Sequence, residues 1–195
     1  MGLASNERLE DFLGWFSSAR YFHEMKIPLA IVATDLLTGK SVHFTEGEIG
    51  PALLASCAYP GLFLPIEYCG HCLVDGFLTE TVPPTAVREM GAKVVIAVHR
   101  DPRLLSGKPE NSLEVINRSF AIIQTSASQP WRDATDVPIE PNARDIFCDD
   151  FVKTPQLVSA GGNAANVALP RIRATLVRRV PRPLRVRTRS HIPEL

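Results

Sequence analysis

No apolar run in this chain of 195 residues is long enough to cross a bilayer. The longest stretches, such as Leu29–Ala33, fall far short of the roughly 20 residues a spanning helix needs. The opening MGLASNERLEDFLGWF has no basic segment followed by an apolar one, so it does not read as a secretory signal. It also misses the myristoylation pattern, with Asn6 where Ser or Thr is required. Cysteine is scarce. Four cysteines do not suggest a disulfide framework, and the expectation is a reducing, cytoplasmic compartment. Net charge is missing as well: 21 basic residues balance 21 acidic ones, which excludes a wholly basic nucleic-acid binder.

What is present fits a single globular domain. Hydrophobic residues make up 45% and charged residues 22%, enough to build and solubilise one core. The charge balance hides an asymmetry, because from Arg171 onward there are eight arginines and one acid, Glu194. The segment from Arg178, interrupted by Pro181, Pro183 and Pro193, has no apolar periodicity and reads as a disordered basic tail. The expected division is a domain over 1–177 and a tail over 178–195.

Along the chain, apolar positions at helical spacing (Leu9, Phe12, Leu13, Phe16) predict an amphipathic helix over 7–25. After Pro28, LAIVAT reads as a strand buried on both faces, LLTGKS as a turn and SVHFT as a second, alternating strand: a β-hairpin. Residues 49–57 read as a short helix ending before Pro60-Gly61, followed by two short strands around Gly70. Pro83 and Pro84 suit a first helical turn, with Gly91 placed to end that helix. Lys93–Val98 is the most apolar strand pattern. Helical patterns cover 112–128 and 154–177, with a short strand at 136–140. Alternating helices and apolar strands predict a three-layer α/β/α architecture.

One ordered set of motifs stands out: Ala33-Thr34-Asp35 with Thr38-Gly39, then Ala55-Ser56 with Pro60, Phe63 and Pro65, then Leu73-Val74-Asp75-Gly76, a helix and an apolar strand. A later stretch, Phe151, Lys153, Leu157 and Gly161 before a long helix, continues the order. Over roughly residues 27–98 this set resembles the patatin-like phospholipase family, in its C-terminal part. The resemblance implies lipid acyl-ester hydrolysis by a serine–aspartate dyad, with no metal or organic cofactor. A serine hydroxyl is a weak nucleophile until a base lies within hydrogen-bond reach. Here the family's D-G-[GA] motif falls on Asp75-Gly76-Phe77, making Asp75 the proton acceptor, with the glycine letting the backbone turn beside the serine. Desolvation near a lipid site would raise the carboxyl pKa and strengthen it as a base. Two departures are visible: Phe77 stands where a small residue is usual, and Glu80-Thr81 stand where the family often has Asn-Pro.

The family's nucleophile lies in G-x-S-x-G upstream of these motifs, on a strained turn that exposes the hydroxyl. No such pattern occurs here. Gly39-Lys40-Ser41-Val42-His43 fails at its last position, and the glycine-rich oxyanion loop is also absent, since Gly161-Gly162-Asn163 lacks its pattern. The expectation is a truncated or mis-started product, or one half of a split protein whose N-terminal half is separate. Such a chain is inactive alone and, with an apolar strand edge uncovered, poorly soluble.

Other features favour plainer readings. Cys69-Gly70-His71-Cys72 has the spacing of a redox or half-zinc site, giving a thiol redox or zinc protein as one alternative; a hairpin turn that happens to hold two cysteines is the commoner meaning. Thr34–Ser41 ends like a phosphate loop but lacks its first glycine. The arginine-rich tail is suited to peripheral contact with an anionic membrane surface, although a solvated tail is commoner. His23, His43, His71 and His99 are scattered singly. Ser56 reads as helix-end packing and Asp35 as turn chemistry. A further alternative keeps the fold but not the chemistry: a catalytically dead lipid- or partner-binding module.

Overall fold

The computed structural model describes residues 5–14, 19–100, 108–126, 129–143 and 151–179. They form a mixed α/β structure. Helix α1 (Asn6–Gly14) is followed by strands β1 (Ile31–Asp35) and β2 (Lys40–Phe44), helix α2 (Ile49–Ser56) and strands β3 (Ile66–Tyr68) and β4 (His71–Asp75). Helix α3 (Pro84–Glu89), strand β5 (Ile96–Val98), helices α4 (Ser112–Ser126) and α5 (Gln129–Asp133), strand β6 (Val137–Ile139) and helix α6 (Thr154–Arg179) complete the order.

The first four strands make an antiparallel sheet in the order β2-β1-β4-β3, and β5 pairs in parallel with β6. Every residue of β1 is buried, as its continuous apolar run requires. Successive side chains alternate between faces. Ile31 and Ala33 join Leu73, Phe44, Phe22 and the α2 residues Ile49, Ala52 and Ala55 in one apolar cluster. Val32, Thr34 and Val74 lie on the opposite face, where the segment after β4 covers them: Gly76 abuts Val32, and Thr34 Oγ1 lies 3.0 Å from Thr79 Oγ1. The core thus sits on both sides of β1.

The expected hairpins form. β1 and β2 pair from Ile31↔Phe44 to Asp35↔Lys40, closing on Gly39 at φ +67°. β3 and β4 are joined by the two residues Cys69 (φ +50°) and Gly70 (φ +80°), the signature of a type I′ turn. Helix α3 starts on Pro84, and Gly91, at φ +92°, follows its end, donating its N–H to Arg88 O.

Three expectations need correction. The helix expected over 7–25 stops, within the described residues, at Gly14; Phe16 lies outside them. Tyr21 is extended and bridges Glu48, while Phe22 N–H donates to Gly47 O and Ile49 N–H to Arg20 O, so this stretch is tied to the loop before α2 and Phe22 is drawn into the core. The strand expected over Lys93–Val98 is shorter because its partner β6 has only three residues. Helix α6 continues through Arg178 and Arg179, two residues past the helix end expected at 177. The basic stretch 180–195 lies outside the described residues, as do Asp145 and Cys148. Among the described residues no helix is long and apolar enough to cross a membrane.

Candidate active site

Asp75 is the last residue of β4, and the chain passes straight from it into a 3-10 turn, Gly76–Leu78. Three contacts hold its backbone. Its N–H donates to Ala58 O at 3.0 Å, its carbonyl accepts from Thr34 Oγ1 at 3.0 Å, and its position in the sheet pairs it with Ala33. The side chain caps the turn, Oδ1 accepting from Phe77 N–H at 3.1 Å. Among the described residues Oδ2 accepts no hydrogen bond, and no hydroxyl donates to the carboxylate. Burial pushes the Asp75 carboxyl up to about 6, and the single Phe77 N–H only partly offsets this. The nearby Cys57 thiol is pushed up by burial and by the charge of Asp75.

Gly76 has a reason different from the one expected. Its φ is not in the left-handed region. A Cβ at this position would stand 2.6 Å from Val32 O, so the residue is small because β1's backbone runs against it. Phe77 sits in an aromatic group: its ring stacks on Tyr59 at 4.9 Å and meets Phe120 edge-on at 5.3 Å. The large third residue of the motif is thereby accommodated by α4 and by the loop after α2.

The other residues singled out fall elsewhere. Asp35, 2% exposed, is held by Leu37 N–H, Thr38 Oγ1, Cys72 N–H and His71 Nδ1. Burial would raise its carboxyl, but these bonds, Leu37's foremost, hold it below the ordinary range. That is turn chemistry, as expected. Ser56 ends α2. Cys69 is the first residue of the tight turn and Cys72 lies in β4 just after it, so neither starts a helix. The Cys72 thiol is raised by its hydrogen bond with Glu67, by burial and by the charges of Glu67 and Asp35. A reactive thiol needs the opposite shift. Among the described residues no group of three His, Cys, Asp or Glu is arranged to hold a metal ion.

One constellation was not legible beforehand. His43 does not stand alone: Nε2 lies 3.2 Å from Glu80 Oε2 and Nδ1 3.6 Å from Glu89 Oε2, while Ser41 Oγ donates to Glu80 Oε1 at 3.0 Å. Alternation along β2 places Ser41 and His43 on one face, which was a usable signal. That Glu80, nearly forty residues on, would return to that face was not.

No family model matches the chain. Individual proteins do. An NTE family protein of Mycobacterium tuberculosis, named as uncharacterized, is 35% identical over 97 residues, covering 50% of this chain and 27% of that protein. Another NTE family protein, from Mycobacterium bovis, is 26% identical over 164 residues, covering 71% of this chain and 28% of its own length. Patatin-like phospholipase domain-containing protein 7 of Mus musculus is 31% identical over 81 residues, covering 40% of this chain and 6% of that protein. The chain is thus similar, over part of its length, to NTE family proteins and to a patatin-like phospholipase domain-containing protein. It spans about a quarter of the length of the NTE family proteins it matches.

Proposed function

We propose that this chain carries the proton-accepting part of a patatin-like lipid acyl hydrolase, with Asp75 as the base of a serine–aspartate dyad and carboxylic esters of lipids as substrates. The observation that carries this reading is the state of Asp75: a strand-end carboxyl, desolvated to a pKa of about 6, with one oxygen engaged and the other accepting no hydrogen bond among the described residues. A base of that strength is largely ionised at neutral pH yet basic enough to take a hydroxyl proton in the transition state. The anchors on Ala58, Thr34 and Phe77 keep it in place without neutralising it.

The nucleophile and oxyanion donors belong to a segment outside these 195 residues, in a complete three-layer α/β/α domain. Alone, the chain should show no turnover, because removing oxyanion donors and nucleophile costs many orders of magnitude. The test is hydrolysis of a short-chain nitrophenyl ester by residues 1–195, alone and with an added polypeptide carrying the G-x-S-x-G segment. Activity that appears only on addition, and disappears with Asp75→Asn, supports the reading. Turnover by 1–195 alone that a serine-directed phosphonate abolishes would overturn the external nucleophile.

A further inference from the structure

The 3-10 turn that begins at Asp75 is fastened to the sheet at its far end as well as at its start. At the start, Phe77 N–H holds Asp75 Oδ1, and Thr34 Oγ1 on β1 lies 3.0 Å from both Asp75 O and Thr79 Oγ1. At the far end the Thr79 and Glu80 N–H groups both donate to Gly76 O, at 3.1 and 2.9 Å, closing the turn on itself. The Glu80 side chain then spans to β2. Its Oε1 accepts from Ser41 Oγ at 3.0 Å, and its Oε2 lies 3.2 Å from His43 Nε2. Both carboxylate oxygens are thus engaged by side chains two residues apart on one face of one strand. The His43 and Glu80 side chains are 20% and 23% exposed, so solvent screens this contact less than an ion pair on the open surface. Glu89, which meets His43 Nδ1 at 3.6 Å from α3, is 73% exposed and adds little.

From this geometry we infer that Glu80 is a positioning residue for Asp75: by clamping the end of the turn to β2, it fixes the turn whose Phe77 N–H orients the carboxyl and keeps water away from it. The inference deepens the hydrolase reading and rests on it for its purpose, since a base assists proton transfer only when it is held within reach. Glu80 acts through the backbone and not through its charge. Burial is what raises the Asp75 carboxyl, the Phe77 bond opposes it, and the charge of Glu80 is not among the causes. With the clamp gone, the end of the turn loses its ties to Ser41 and His43. The turn can then lift and admit water to Asp75.

The test is the titration of Asp75 in the full chain, followed by the NMR shift of its carboxyl carbon. Glu80→Ala should lower the midpoint from about 6 by about half a pH unit or more, toward the ordinary value of about 3.9. Glu80→Gln, which can still accept from Ser41 and bond to His43, should restore it. Ser41→Ala combined with His43→Ala removes the clamp from the other side and should match Glu80→Ala. That pair also serves if Glu80→Ala does not fold. A merely structural Glu80 would lower the urea midpoint and leave the Asp75 titration where it is. That result, a raised Asp75 midpoint, or Glu80→Gln acting as strongly as Glu80→Ala would overturn the inference. Once the nucleophile segment is supplied, Glu80→Ala should lower kcat about tenfold or more with KM unchanged. The two readings fail separately. A lowered Asp75 midpoint without any hydrolysis on complementation sinks the dyad and leaves the clamp. Hydrolysis that needs Asp75 but is unaffected by Glu80→Ala sinks the clamp and leaves the dyad.

Discussion

Gly76 lies against Val32 so closely that a single added carbon would come within 2.6 Å of the Val32 carbonyl oxygen. The neighbour is backbone in a fully buried strand and has no rotamer by which to yield. Gly76→Ala should therefore destabilise the fold by about 1–3 kcal/mol, the usual cost of overpacking a core. Urea unfolding gives the value. An unchanged midpoint would mean the 3-10 turn can move away from β1 freely.

Asp75 should set a pH-dependent stability opposite in sign to that of a paired carboxylate. Its folded pKa, about 6, is above the ordinary value of about 3.9. Between those limits the native state keeps a proton that the unfolded chain has lost, so stability is greatest below pH 4, falls as pH rises through 6 and then levels off. Asp75→Asn should remove this loss, stabilising the chain at pH 8 by up to about 3 kcal/mol while changing little at pH 4. Denaturation at the two pH values is the measurement, and equal effects at both would contradict it.

Asp136 ties three elements together. Its side chain accepts from Val95 N–H at 2.8 Å, pairs with Arg88 of α3 and lies 3.0 Å from Arg179 of α6, while Arg171 donates to its carbonyl. Burial raises its carboxyl, but Val95, Arg88 and Arg179 together hold it below the ordinary range. Asp136→Ala should cost about 1.5–3 kcal/mol, the range for hydrogen bonds to charged groups, and loosen the end of α6. Amide exchange across 171–179 would reveal it, and protection equal to the native chain would rule the tie out. The same contacts mean that Arg171 and Arg179 are already engaged within the fold.

Cys69 occupies a left-handed conformation that L side chains other than Asn and Asp adopt at a cost. Cys69→Asn turns the β3–β4 connection into Asn-Gly, the preferred pair for a type I′ turn, and should stabilise the chain by about 0.5–1 kcal/mol. A thermal melt under reducing conditions checks this. A loss of stability would instead show that the thiol contributes something beyond turn geometry.

Much of the fold was readable because its signals are local. Pro84 at a helix start, Gly39, Gly70 and Gly91 at left-handed positions, and the apolar run of β1 each depend on a few neighbouring residues. Where the reading failed, a long-range contact decided. The helix expected over 7–25 gives way at residues 20–22 to hydrogen bonds with Gly47 and Ile49. The strand at Lys93–Val98 is cut to the length of a partner some forty residues away.

The sequence by itself determined the type and order of most elements and pointed to Asp75-Gly76, because periodicity, turn chemistry and ordered motifs are written in consecutive residues. Only the tertiary structure decided why Gly76 is small, where the ring of Phe77 goes, that Glu80 reaches Ser41 and His43, and how strongly Asp75 is desolvated. Each of those depends on atoms brought together from distant parts of the chain, and burial and close approach are properties of that assembly rather than of any segment.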